Sequence, residues 1–178
     1  MTRSELEHVI RAAGAIAEDH EIVVIGSQAI LGQFPDAPEA LRMSTEADVY
    51  PLNFPERSDL VDGSIGEGSM FHERFGYYAQ GVGEETATLP RNWRKRLVKV
   101  STSGTSGITG LCLEVHDLAI SKYVAGREKD LQFTRELARH RMTDEKVLLE
   151  RLGETDVAAP LRAIVEGRIK ADAGFRKP

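Results

Sequence analysis

The chain reads as an α+β protein, a small mixed β-sheet followed by a C-terminal helical part. Two observations predict this. Short apolar runs at 21–25 and 46–51 and later strand-like segments up to 115 are interleaved with turn residues. From residue 117 onward the apolar residues recur at helical spacing instead. The expected division is 1–116 for the α+β core and 117–178 for a helical part packed on it. A chain of 178 residues fits one domain, or one domain with a small helical appendage.

The elements follow in order. Ser4 is expected to cap a first helix with Glu7 at the capping-box position, and Leu6, Val9, Ile10, Ala13 and Ala17 form its apolar stripe. Asp19-His20 ends it. Glu21 to Ile25 is a short buried strand. Gly26 turns the chain, and Ser27 is expected to cap a short helix through about Leu31. The Pro-rich stretch from Phe34 to Pro38 excludes a regular element. Glu46 to Pro51 is a second strand, limited by its proline. Glu56 to Val61 spans one or two helical turns. Gly63, Gly66 and Gly68 read as a mobile loop, Phe75 to Val82 as a strand, and Leu89 to Trp93 as a turn. Leu97 to Thr102 reads as a strand, Ser101 to Gly110 as a hairpin-like loop, and Leu111 to Val115 as the strand carrying Glu114. Asp117 is expected to cap a helix that Gly126 ends or kinks. Lys129 to His140 is the next helix. A third starts at Thr143 or Asp144 and a fourth at Asp156, with the last few residues frayed.

Composition narrows the functional classes. The hydrophobic content of 41% is enough for a core. A net charge of −5 argues against a broadly basic nucleic-acid-binding face and leaves room for a local basic patch. The single cysteine, Cys112, excludes an internal disulfide framework and a Cys-based zinc cluster; its apolar neighbours make it a buried thiol. There is no signal-peptide core and no apolar stretch long enough to span a bilayer, so no membrane role is expected and the protein reads as cytoplasmic. The Gly63–Gly68 loop lacks the Gly-Lys-Ser/Thr ending of a P-loop, and serine-hydrolase and metalloprotease spacings are missing.

Three short pieces carry the chemistry. They are Ile25-Gly26-Ser27, Glu46-Ala47-Asp48-Val49 and Leu113-Glu114-Val115. In a strand, residues i and i+2 share a face, so Glu46 and Asp48 project together while Ala47 and Val49 face the core. Convergent carboxylates suit Mg²⁺, a hard cation that takes oxygen ligands together with substrate phosphates. A Gly-Ser turn beside them gives close backbone approach and N–H donors for those phosphates.

In this order the pieces resemble the signature of the nucleotidyltransferase superfamily with the DNA polymerase β-like fold. His116 to Lys122, followed by Ala125 to Asp130, is similar to the post-catalytic helices of its abortive-infection, toxin-like branch, near a group of bacterial nucleotidyltransferase-like proteins. The resemblance covers roughly residues 20 to 150. It implies Mg²⁺- or Mn²⁺-dependent transfer of a nucleoside monophosphate from an NTP to a hydroxyl of RNA or protein, in a toxin–antitoxin or defence setting with an antitoxin as partner. It implies Glu46, Asp48 and Glu114 as metal ligands, with Glu114 alternatively the general base, and Gly26 and Ser27 at the triphosphate. Lys122 is a further phosphate contact, with Arg127 and Lys129 in the same role. Two departures stand out. The gap between Ser27 and Glu46 is longer than usual, through the insertion at 33–39, and Tyr50 stands where many relatives carry Asp. The departures motivate a second reading, a binding module that keeps the fold and has lost catalysis. A third is a nucleotidyltransferase acting on a small-molecule antibiotic, whose cationic character would suit the negative net charge.

Plainer readings stand beside these. Lys122, Arg127, Lys129 and Asp130 can form surface ion pairs worth tenths of a kcal/mol, on the order of 0.2–0.5. Trp93 with Arg91, Arg94, Lys95 and Arg96 is either an RNA-contacting cluster or a charged turn around a buried tryptophan. His72 and His116 read as structural or solvated.

Overall fold

The structure, a computed structural model, describes residues 1–174. It is an α+β fold with a five-stranded mixed sheet and eight α-helices among the described residues. The expectation of a frayed end falls largely on residues 175–178, outside that range.

The chain forms two compact units. One comprises Met1–Thr86 and Leu97–Glu114; the other comprises Ala87–Arg96 and the chain from Val115 onward. The first unit holds the sheet: β1 (Glu21–Val24), β2 (Glu46–Pro51), β3 (Tyr78–Gly81), β4 (Val98–Val100) and β5 (Thr109–Cys112), in the order β3-β2-β1-β5-β4. β1 pairs antiparallel with β2 and parallel with β5; β2 and β3 are parallel, and β4 and β5 form an antiparallel hairpin.

Helix α1 (Arg3–Ala17) carries the expected stripe. Leu6, Val9, Ile10, Ala13 and Ala17 are fully buried. Its cap differs from the expectation: Thr2, not Ser4, accepts the Glu5 amide, and the Glu5 carboxylate receives the Thr2 amide at 2.6 Å. The same capping box therefore closes two residues earlier. Where α1 crosses β5 the strand carries Gly110; a Cβ there would lie 2.5 Å from Ile10 Cδ1, so the helix reaches the sheet only over a glycine. Buried Asp19 ties the end of α1 to the start of β1 and to the segment just after β2, accepting from the Glu21 amide (3.0 Å), the Asn53 amide (2.8 Å) and the Asn53 side chain (2.9 Å). Burial alone would raise its pKa; the hydrogen bonds from Asn53 and from the backbone outweigh that and hold it below the usual carboxylate value.

The first part of the stretch expected to be a glycine loop is helical, while Gly66 to Ser69 forms the turn between two helices. α3 (Ser58–Ile65) contains Gly63, Gly66 follows its end, and α4 (Met70–Phe75) takes Phe75 out of the expected strand. Ser69 caps α4 by accepting the His72 amide at 3.1 Å. These helices are the crossover that parallel pairing of β2 with β3 demands. The short helix α2 (Ile30–Gln33) follows a 3-10 turn over Ser27–Ala29.

The second unit contains α5 (Val115–Ala125), α6 (Glu128–Arg139), α7 (Glu145–Gly153) and α8 (Ala159–Ala173). Asp144 caps α7 through the Lys146 and Val147 amides, as expected. The last helix starts at Ala159 with Pro160 in its first turn, later than the expected Asp156. Asp117 is not a cap. It lies inside α5 with a fully buried side chain, held by Arg96 at 2.8 and 3.0 Å and by Arg151 at 3.2 Å. Its acidic side chain so near a helix start imitates a cap, while Arg96 and Arg151 reach it from distant segments. Trp93 is buried, with the Arg94 guanidinium over its ring.

Candidate functional site

The pairing pattern of the sheet brings the sequence pieces to one end of it. β1 and β5 run parallel and finish side by side, with Val24 opposite Cys112 and the Leu113 amide donating to Val24 O at 3.1 Å. β2 runs the other way, so its first residues lie at that same end, and the Ile25 amide donates to Asp48 O at 3.0 Å. Ile25-Gly26-Ser27 therefore leaves the sheet between the start of β2 and the end of β5. Glu114 lies past the end of β5, immediately before α5, not within a strand as expected.

Glu46 and Asp48 occupy one face of β2 and are half-buried, while Ala47 and Val49 are fully buried on the other. Tyr50 shares the face of the two acids but is buried. A carboxylate at position 50 would thus be taken out of water, and the two half-buried acids of this face are Glu46 and Asp48.

Gly26 and Asp48 are interlocked. A Cβ on Gly26 would lie 1.9 Å from Asp48 Oδ2 and 2.7 Å from its carboxyl carbon. The carboxylate occupies the volume that any other residue at 26 would need. The backbone at Gly26 is extended (φ −81°, ψ −174°), so the glycine serves close approach rather than an unusual conformation. Ser27 is the first residue of the 3-10 turn, not its cap, and Gly26 O accepts the Ala29 amide at 3.0 Å. Gln28, next in line, is fully buried; its amide nitrogen is 3.4 Å from Ser27 Oγ, and its carbonyl oxygen finds no partner among the described residues.

One residue that the sequence did not flag completes this face. Tyr78 is the register partner of Glu46 on β3, and its hydroxyl donates to Glu46 Oε2 at 3.2 Å. Burial, the charges of Glu46 and Glu67, the hydrogen bond to Glu46 and the charge of Asp48 together push the Tyr78 phenol up to about 12. His72 lies against Tyr78 with ring centroids 4.6 Å apart. The alternation Tyr78-Ala79-Gln80 marks a strand face, but nothing local says which strand it pairs with.

Lys122, Arg127 and Lys129 belong to the helical unit. Lys122 and Arg127 both reach the buried Asp130 carboxylate, at 3.4 and 2.6 Å. Burial would raise the pKa of Asp130; the Arg127 hydrogen bond and the Lys122 charge more than offset this and hold it below the usual carboxylate value. Lys129 is exposed. Cys112 is a buried thiol raised to about 12 by burial, consistent with an inert core role.

The donor set of the sheet end is hard oxygen. Among the described residues, no three His, Cys, Asp or Glu side chains group closely enough to hold a metal ion. A pair of carboxylates fits Mg²⁺ nonetheless, because that ion is commonly held by one or two carboxylates and completed by substrate phosphates and water.

The α+β sheet with a Gly-Ser turn against an acid–apolar–acid strand is the arrangement that the resemblance to the nucleotidyltransferases implies. The chain belongs to the family described as "Nucleotidyltransferase of unknown function (DUF6036)", whose model matches residues 4–162. Comparisons with curated proteins and with solved structures give no match. Among the described residues, no helix is long and apolar enough to cross a membrane.

Proposed function

We propose that the protein transfers a nucleoside monophosphate from an NTP to a hydroxyl of RNA or protein, with Mg²⁺ or Mn²⁺ as cofactor. The observation that carries this reading is the interlock of Gly26 with the Asp48 carboxylate. The contact sets the Gly-Ser turn directly against the acid strand, so a triphosphate held through a cation on the acids would lie beside the turn. In this reading Glu46 and Asp48 hold the cation, and Gly26 and Ser27 face the triphosphate. The bound cation would offset the phosphate charge and ease departure of pyrophosphate. Glu114 accepts the proton of the attacking hydroxyl as its oxygen bonds to the α-phosphorus and the α–β bridge breaks. Lys122, Arg127 and Lys129 are proposed phosphate contacts on the grounds of the sequence resemblance. Lys129→Ala, which breaks no described ion pair, tests that role. The same resemblance supports a defence or toxin–antitoxin setting with an antitoxin partner.

The test is incubation with each α-labelled NTP, Mg²⁺ or Mn²⁺, bacterial RNA and lysate protein. Wild type is expected to label RNA or protein; Asp48→Ala, or wild type with EDTA, is expected to label neither. Label on an added aminoglycoside and on no macromolecule would shift the acceptor to a small molecule. No label anywhere, with no NTP binding by calorimetry, would leave a fold without this activity.

A further inference from the structure

We infer that Tyr78 is a positioning residue for the candidate cation site, fixing the Glu46 carboxylate so that one oxygen is committed to the phenol and the other is kept for a ligand. The inference rests on the reading of Glu46 as a cation-holding acid and deepens it.

The argument is a chain of contacts within the sheet unit. The Gly68 amide lies 3.1 Å from His72 Nδ1, which requires a lone pair there and leaves the ring proton on Nε2. The His72 amide donates to Ser69 Oγ at 3.1 Å, so both ends of the residue are tied to the two residues just before α4. The His72 ring leans on the Tyr78 ring, with an interplanar angle of 46°. The Tyr78 amide donates to Thr45 O at 3.0 Å, locking β3 to the residue just before Glu46. The Tyr78 hydroxyl then meets Glu46 Oε2. The ring is thus held on its face, at its backbone and at its tip.

An unconstrained Glu samples several rotamers, and ordering it on binding costs conformational entropy. A side chain already held in place spares part of that cost. Hydrogen-bonded partners of ligating groups elsewhere change metal affinity by about 10–100-fold when removed. Tyr78 stands in that relation to Glu46. It touches neither phosphate nor acceptor in this assignment and acts through the carboxylate alone.

Tyr78→Phe removes the hydroxyl and keeps the ring on His72. Tyr77→Phe is the control, because the Tyr77 hydroxyl meets His8 Nδ1 at 2.8 Å on α1 instead of a candidate ligand. The experiment is a Mn²⁺ titration followed by electron paramagnetic resonance, with Mn²⁺ alone and with Mn²⁺ plus a non-hydrolysable ATP analogue. Thermal unfolding of each variant runs alongside. The expected result is weaker Mn²⁺ binding in Tyr78→Phe by about tenfold or more. The Tyr77→Phe titration should superimpose on wild type. Equal Mn²⁺ affinity in wild type and Tyr78→Phe overturns the inference and leaves the proposed function standing. A wild type that takes up no Mn²⁺ under either condition overturns both.

Discussion

Two residues at the sheet end fix what a substitution there must do. Gly26 has Asp48 Oδ2 in the place of a side chain, so Gly26→Ala forces the carboxylate, the strand or both to move. Overpacking of this kind costs about 1–3 kcal/mol. The expected outcome is a lower urea midpoint with the slope unchanged, together with loss of NTP binding by calorimetry. Adding Asp48→Ala to Gly26→Ala separates the two effects: it relieves the crowding, so stability should recover while NTP binding stays lost. A Gly26→Ala protein that binds NTP like wild type would mean that the interlock is a packing detail.

The elements show which parts of this arrangement were legible in the sequence. β2 could be read because Glu46-Ala47-Asp48-Val49 alternates and Pro51 closes it; the structure gives the same bounds. α1 could be read from its apolar stripe, although Thr2 and Ser4 offer nearly equivalent caps and only the fold chooses between them. The start of α3 lies within the helical turns expected over Glu56 to Val61, and its end was hidden by Gly63, which the helix tolerates at about 1 kcal/mol relative to Ala. Nothing lies within 4 Å of where a Cβ on Gly63 would be, so no packing demand marks it either. Tyr78 was hidden for a different reason. Its relation to Glu46 arises from parallel pairing across a helical crossover, and the sequence carries no local trace of such a register. The link between α5 and α6 is the element-scale feature with a measurable pH signature. Asp130, on α6, receives Lys122 from α5 and Arg127 from the turn between them. Its pKa is lower folded than unfolded. Its contribution is therefore complete above about pH 4, the ordinary carboxylate value, and is lost as pH falls through the depressed folded value. Asp130→Asn should cost roughly 1.5–3 kcal/mol at neutral pH, as for a hydrogen bond to a charged group. The gap to wild type should close on acidification below pH 4. Urea unfolding of both proteins at several pH values checks this, and a gap that widens in acid would reverse the sign.

At the scale of the whole molecule, the segment Ala87–Arg96 is the unusual feature. The chain leaves the sheet unit after β3, lends this segment to the helical unit, and returns as β4. Its attachment there is specific. The Arg91 amide donates to Glu154 O at 3.1 Å, and Arg96 supplies the bidentate partner of the buried Asp117. Removing either partner of a buried ion pair leaves an uncompensated charge, so segment and helices depend on one another. Trp93, the only tryptophan of the chain, sits in this segment and is buried, which makes it a reporter for the unit that holds it. A chain ended after Glu114 keeps every strand but loses Asp117, Arg151 and Glu154. Its Trp93 emission should shift to the red of full-length protein, and urea should produce no cooperative change in that emission. Arg96→Ala in the full chain should move the Trp93 transition to lower urea. Emission unchanged by the truncation would overturn the assignment of Ala87–Arg96 to the helices, because the tryptophan would then be covered without them.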